Sequence, residues 1–593
     1  MASRSDDGPG ITRRSAVAGL TAGLAASSGC VGRIRALVGR DQASTVSLSI
    51  KTLPVDQDPY AAAIAQQVSA WFETAGIQSG IQPVTAEELY QQTLINHEYD
   101  VFVGQFPDPF DDPDTFHPLL HSTYSVESGL QNPFGYTNLS MDDLLERQRR
   151  ESGPARRETA TRVQRRFVQE CPFLVVGFPT VIRAARTDQF TGWQDAFDPT
   201  PVSLMTLSRT GESVTTLRAT TPDGRPTANL NPLMIAYRGP SDVTDLLYDP
   251  LGFRSQGTTA PWAARNWEWT GTDPLELTVT LREGLRFHDG EPLTASDAAF
   301  TYRLLNDTAL GVSDETAPTF RFRGRSAFVD SATAVDDRTL TITFGDCSQR
   351  VARRALTVPV LPSHIWTDRT DRATLNGVDV GVTTTEALVN RNVPPVGSGP
   401  MAFESATQGQ RLVLERFDDH FTRRDGDLGL PSPLSDGLPF ESLELRFVAD
   451  DAAAVDLVAD GEADVTALGV GPDLTPTIGR TEDLSLTVDR SGAFYFLGFN
   501  ARNSPLANPR FRNTLAQLVD RQTLSESVFD GYVDPAVSPL DGTAWLPSEL
   551  AWDPAERVLG FLGSDGVVDA ERARDAFRSA GYRYDEQGRL LQS

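Results

Sequence analysis

The 593-residue sequence predicts a mixed α/β protein of two or more lobes. Three observations predict it. The chain is longer than one hydrophobic core usually sustains. Short runs such as Val46–Ile50 and Leu277–Leu281 alternate apolar with polar residues, the period of a half-buried strand. Between such runs lie stretches such as Asp58–Thr74, whose apolar residues recur at the spacing of a helix packed on one face.

Composition limits what the chain can bind. It carries 80 Asp+Glu against 53 Lys+Arg, a formal net charge of -27, and its only lysine is Lys51. Phosphate recognition needs clustered basic side chains, so nucleic acid and anionic lipid are excluded as expected partners. High net charge keeps a protein soluble while making its folded state self-repelling unless salt screens it. An acidic surface almost stripped of lysine resembles proteins of extreme halophiles. Three cysteines, Cys30, Cys171 and Cys347, provide no disulfide framework.

In chain order, residues 1–30 read as an export segment. Thr12-Arg13-Arg14 precedes a modest apolar run, Ala16 to Ala26, and then Ser28-Gly29-Cys30. The paired arginines resemble a twin-arginine signal, and Cys30 after small residues resembles a lipidation site, with Ser27 standing where leucine is usual. The competing reading is an ordinary cleaved signal with a bystander cysteine. The apolar run is too short to span a bilayer, and no later stretch reaches about 18 apolar residues. Residues 31–44 would be a tether.

The folded chain then opens with a strand at Val46–Ile50 and a helix over Asp58–Thr74, with Ile64, Val68 and Trp71 on one face and Gly76 beyond its end. Tyr99–Gly104 reads as a buried strand leading into an acidic loop, Phe106 to Asp114. Helical patterns cover Met141–Arg150 and Pro154–Glu170, followed by an apolar strand at Phe173–Phe178. Further on, Leu277 to Leu304 opens as a strand and turns at His288-Asp289-Gly290. Thr294 then caps a helix, with Asp297 as its capping-box partner. His288 reads as a turn residue.

This last stretch resembles, almost residue for residue, the signature of family 5 extracellular solute-binding proteins, the peptide and nickel receptors of ABC importers. Leu246–Leu251, Pro261–Trp267, Pro395–Phe403, Gly461–Val465, Tyr495–Asn500, Asn508–Arg521 and Gly531-Tyr532 resemble further motifs of that family. The resemblance implies a periplasmic-binding-protein-like class II fold, a two-lobed Venus flytrap with mixed sheets. The order of parts differs: elements from the family's last third, including the acidic loop, here come first. Each appears once, which favours circular permutation over fusion of two half-proteins. On that reading residues 206–214 join the ancestral termini and 172–495 form the larger lobe. The smaller lobe is split between 45–171 and 496–593.

For function, the resemblance implies a lipid-anchored, exported receptor that passes a peptide to a permease in the membrane, acting as a monomer without catalytic residues, metal or cofactor. Peptide-binding relatives place an aspartate after the glycine that ends the buried strand, where it meets the peptide's α-ammonium. Counting from Gly104 gives Asp108; the loop is one residue longer than the pattern, so Asp111 is the rival. Relatives that hold dipeptides tend to carry an arginine before Pro-Tyr. Here Asp56-Gln57-Asp58 precedes Pro59-Tyr60, which favours longer peptides or a cationic or neutral ligand. Phe106, Phe110, Tyr248 and Trp545 are candidates to cover an apolar or sugar face.

Other chemistries find less support. His117 and His121 share a face beside Asp114, but the zincin motif is absent. The acidic loop lacks the glycine and terminal glutamate of a calcium loop, and Gly397-Ser398-Gly399 is not a nucleophile elbow. The alternatives are a receptor for a nickel complex, sugar or other small solute, and, from another class, an exported hydrolase on the same fold.

Overall fold

The computed structural model describes residues 44–592 except 107–109, 194–199, 236–241, 256, 376–377, 380–383, 425 and 555–557. The chain begins with strand β1 (Ser47–Thr52), helix α1 (Pro59–Thr74) and strand β2 (Gln78–Pro83), a parallel crossover unit in which Ile50 lies opposite Ile81. Asp58 caps α1 by accepting from the Ala61 N–H, and Pro59 opens it where no amide proton is needed. Strand β3 (Val101–Gln105) joins β1 on its other side. Helices α2 (Leu139–Arg150) and α3 (Gly153–Glu170) follow, and Cys171, in the left-handed conformation, ends α3. With Val163, Phe167 and Val168 of α3, these elements enclose the core of a smaller lobe.

Strand β4 (Phe173–Arg186) leaves that lobe, running further than its apolar first half predicts. The extension has a tertiary cause: each half has its own partner. Phe173–Gly177 pairs with β15 (Tyr495–Phe499), while Thr180–Arg186 pairs with β14 (Leu484–Arg490). The side chains of Phe173 to Phe178 pack in the smaller-lobe core, whereas Ala185 packs in a second core. The second core holds Leu217 and Ala219 of β5 (Thr216–Thr221). It also receives an antiparallel four-stranded sheet, β6 (Ala264–Thr272), β7 (Leu275–Leu281), β8 (Val329–Ala334) and β9 (Thr339–Phe344), with helix α4 (Ala295–Asn306) beside it.

The larger lobe is completed by β10 (Met401–Thr407), β11 (Arg411–Arg416), β12 (Ser442–Phe447), helix α5 (Asp451–Ala459) and β13 (Val465–Thr466). One path of strands, β10-β11-β12-β5-β13-β4-β15-β3-β1-β2, therefore runs through both lobes and changes lobe along β4. Chain passes between lobes a second time from β14 to β15, beside β4. β16 (Val533–Pro535) also lies on β4, and there Gly177 leaves no room for a Cβ, which would sit 2.6 Å from the Asp534 carbonyl oxygen.

The Leu277–Leu304 stretch is a structural corner. Thr294 Oγ1 accepts from the Ser296 N–H, and the Thr294 N–H donates to Asp297 at 2.9 Å, the predicted capping box. His288 Nδ1 accepts from the Gly397 N–H at 3.3 Å, which leaves Nε2–H to donate to the Gly399 carbonyl at 3.0 Å. Gly397 itself packs on the Leu247 carbonyl oxygen so closely that no side chain fits. Burial pushes the His288 imidazole down to about 4, as a neutral ring holding two backbone groups requires.

The two ends of the described chain meet. The Val46 N–H donates to the Leu590 carbonyl at 2.8 Å, the Gln592 N–H to the Ser44 carbonyl at 2.8 Å, and Thr45 lies antiparallel to Leu591. Both ends lie in the smaller lobe, whose core holds Val46 and Leu590.

Candidate functional site

The loop after β3 builds one wall between the lobes. Asp112 starts a short turn by accepting from the Asp114 N–H, and Asp114 then points inward with no exposed surface. Within the smaller lobe, Arg149 of α2 donates to both Asp114 oxygens at 2.8 and 3.1 Å, and Gln148 adds a third bond at 3.0 Å. Arg156 of α3 holds Asp112. The larger lobe reaches the same carboxylates from segments far away in sequence. Arg354 donates to Asp114 at 2.8 Å, Arg350 to Asp112 at 3.3 Å, and Arg254 pairs with Asp111. Burial by itself raises the Asp112 and Asp114 carboxyls. Arg156 and Arg354 around Asp112, and Arg149 and Arg354 around Asp114, outweigh it and hold both below the ordinary range.

A second group of the smaller lobe that senses charges of the larger one lies at α1. The Tyr495 hydroxyl donates to Asp58 at 3.1 Å, and Tyr60 stacks on Phe529 at 4.8 Å. Burial raises the Asp58 carboxyl, while the Ala61 N–H and Tyr495 pull it back and Arg225 of the larger lobe acts in the same sense. Asp451, first residue of α5, has its carboxyl raised by burial, and its charge acts on Tyr60 of the opposite lobe. The smaller lobe thus meets the larger one at an ion-paired arginine cluster and at a group of carboxylates and tyrosines.

The family described as "Bacterial extracellular solute-binding proteins, family 5 Middle" matches residues 258–592. The chain belongs to that family. Among curated proteins it is 25% identical to the oligopeptide-binding protein AppA of Bacillus subtilis over 318 residues, 51% of this chain and 52% of AppA. It is 24% identical to the glutathione-binding protein GsiB of Pectobacterium atrosepticum over 317 residues, 52% of this chain and 51% of GsiB. The chain thus spans about half the length of the curated relatives it matches. Among solved structures, Bacillus subtilis AppA in complex with a nonapeptide aligns with TM-score 0.46 and 20% identity, over 64% of this chain and 66% of that one. NikZ of Campylobacter jejuni in complex with Ni(L-His) aligns with TM-score 0.42 and 16% identity, over 64% and 65%.

Of the site residues expected in this family member, Asp108 lies outside the described residues, as does Cys30. Asp111 is placed between the lobes, paired with Arg254. Three of the aromatic candidates are buried. Phe106 and Phe110 are 7% and 3% exposed and pack on each other and on Phe494, so they form the floor of the loop. Tyr248 is 2% exposed in the larger-lobe core, its hydroxyl accepting from Asn392 at 2.6 Å. Aromatic residues carry large apolar area, and in these three positions the core takes it.

Trp545 is half-buried beneath the guanidinium groups of Arg156, Arg157 and Arg350. His117 and His121 do stack, 4.7 Å apart. His117 is buried and held well below the ordinary imidazole range, first by burial and then by Arg149, while His121 faces Glu146 at 3.3 Å. Sequence reasoning missed Arg254, Arg350 and Arg354, because nothing local distinguishes them from the chain's other arginines. Among the described residues no helix is long and apolar enough to cross a membrane.

Proposed function

We propose that this protein is the solute-binding component of an ABC importer. It captures a peptide or peptide-like solute between its lobes, hands it on unaltered to a permease, and catalyses no reaction. The observation that carries the reading is a pair of lobes joined by two adjacent chain crossings, with charged side chains of the two lobes meeting between them. Such a hinge closes around a ligand and changes population by the ligand's differential affinity for the closed form. Two relatives, one oligopeptide-binding and one glutathione-binding, support the ligand class.

Export through a twin-arginine signal, anchoring through lipidated Cys30, a monomeric state and a halophilic setting belong to the same reading, supported by the sequence features above. So does circular permutation. The adjacency of Val46 and Leu590, and a family match confined to residues 258–592, are what a cut inside the ancestral smaller lobe would produce.

The test is mass spectrometry of whatever small molecule is released when protein purified from its native host in high salt is denatured. Mixed peptides are expected. A single non-peptide mass would replace the ligand class, and conversion of added ligand by pure protein would replace the binding reading with the hydrolase. If Asp108 meets the ammonium, Asp108→Asn weakens peptide binding by roughly 2–5 kcal/mol. Equal affinity would remove it from the site.

A further inference from the structure

The space beside Asp111 and Asp112 gathers cations in an acidic protein. In a chain of net charge -27, it is lined by Arg254, Arg325, Arg350, Arg353 and Arg354 of the larger lobe against two aspartates of the smaller one. Arg350, Arg353 and Arg354 share one helical stretch at i, i+3 and i+4, and Arg254 and Arg325 join them from two other segments, a meeting that no local spacing produces. Asp111 and Asp112 engage Arg254 and Arg350, and Arg354 turns to Asp114. Arg353 has its Nε buried with no hydrogen-bond partner, and its guanidinium lies 6.0 Å from the Trp269 ring. A buried, unsatisfied charged donor is costly and persists where something else supplies the acceptor. Thr258, Thr259 and Thr357 add hydroxyl groups to the lining. The internal volume is about 60 Å³. That is room for a group of a few heavy atoms, since one water needs roughly 10–15 Å³ on the same measure.

We propose that this arginine pocket is an anion-binding site between the lobes, taking a single oxyanion group, carboxylate or phosphate, of a small solute. Guanidinium forks match both groups in geometry and stay charged at any physiological pH. The bound anion would meet Arg353 directly and compete with Asp111 for the neighbouring arginines. The inference needs the pocket to open toward solvent between the lobes, but it does not need the transported solute to be a peptide.

The test is calorimetric titration of the full chain with inorganic phosphate and with succinate, at matched ionic strength in chloride. Saturable one-to-one binding is expected, and the stronger of the two probes identifies the source of the oxyanion. Arg353→Gln should bind at least about tenfold more weakly, as loss of a charge-assisted hydrogen bond implies. Arg353→Lys, which keeps the charge and loses the fork, should fall between. Asp111→Asn should bind more tightly than wild type, because a competing carboxylate has gone. No saturable binding of either anion by the wild type would overturn the proposal. So would equal affinity in wild type and Arg353→Gln with both proteins folded, as judged by melting. Because no peptide is used, such a failure would leave the proposed transport role standing, and failure of the peptide reading would leave this site standing.

Discussion

Arg354→Met cuts one of the charged ties between the lobes while leaving the rest of the network in place. Arg354 donates to Asp114 at 2.8 Å and to the Thr115 hydroxyl at 3.0 Å, and its side chain is 15% exposed. After the substitution Asp114 still has Arg149 and Gln148, so the buried carboxylate is not stranded. The expected loss is therefore that of hydrogen bonds to a charged group, about 1.5–3 kcal/mol. Because the pair spans the two lobes, the loss falls on the closed arrangement, whose ratio to the open one should drop by roughly 10- to 150-fold.

Asp114→Ala is the contrasting variant. It leaves Arg149 buried without its acceptor and Arg354 with Thr115 alone, a situation that costs about 3–5 kcal/mol and damages the smaller lobe as well. Small-angle scattering reads the opening as a rise in radius of gyration, and thermal melting reads lobe stability. Arg354→Met should expand the particle with little change in melting, while Asp114→Ala should do both. An unchanged radius for Arg354→Met, or a milder effect of Asp114→Ala on melting, would refute the assignment of Arg354 as an inter-lobe tie.

Three further outcomes are expected. His288 is pushed down to about 4, below its unfolded value near 6.5, so the folded state binds fewer protons than the unfolded chain in that window. Its contribution to stability is complete above the upper value and is lost as pH falls toward the lower one, by about 1.4 kcal/mol per pH unit. Denaturant titrations across this range should show that share added to those of His97 and His117, which burial also lowers, and His288→Asn should reduce the total slope by about 1.4 kcal/mol per pH unit without abolishing it. Thr294→Ala deletes the capping hydroxyl of α4 and should cost about 1 kcal/mol, read by melting; an unchanged midpoint would show that packing alone holds the helix. Diluting salt from molar levels should lower the melting temperature, because unscreened acidic groups repel one another; a flat response would contradict the halophilic setting.

Much of the fold was legible because it is local. A capping threonine three residues before an aspartate, alternating apolar residues at Leu277–Leu281 and the periodicity of α1 each act within a turn or a strand, and the structure contains each of them. The family likeness was legible for the same reason, since its motifs are contiguous stretches. Asp111 could be named a candidate because the loop that carries it is itself a recognisable element. The length of β4 and the burial of Tyr248 were not legible. A strand's extent depends on β14, about three hundred residues away in sequence, and an aromatic side chain carries no mark of whether it faces a core or a cleft.

The sequence by itself thus determined the element types, the acidic surface, the motif order and the family. Tertiary structure decided which charges meet. Arg254, Arg350 and Arg354 look like any of the chain's arginines until the lobes come together over Asp111, Asp112 and Asp114. Coulomb energy depends on distance and on exclusion of water, and neither is a property of sequence spacing.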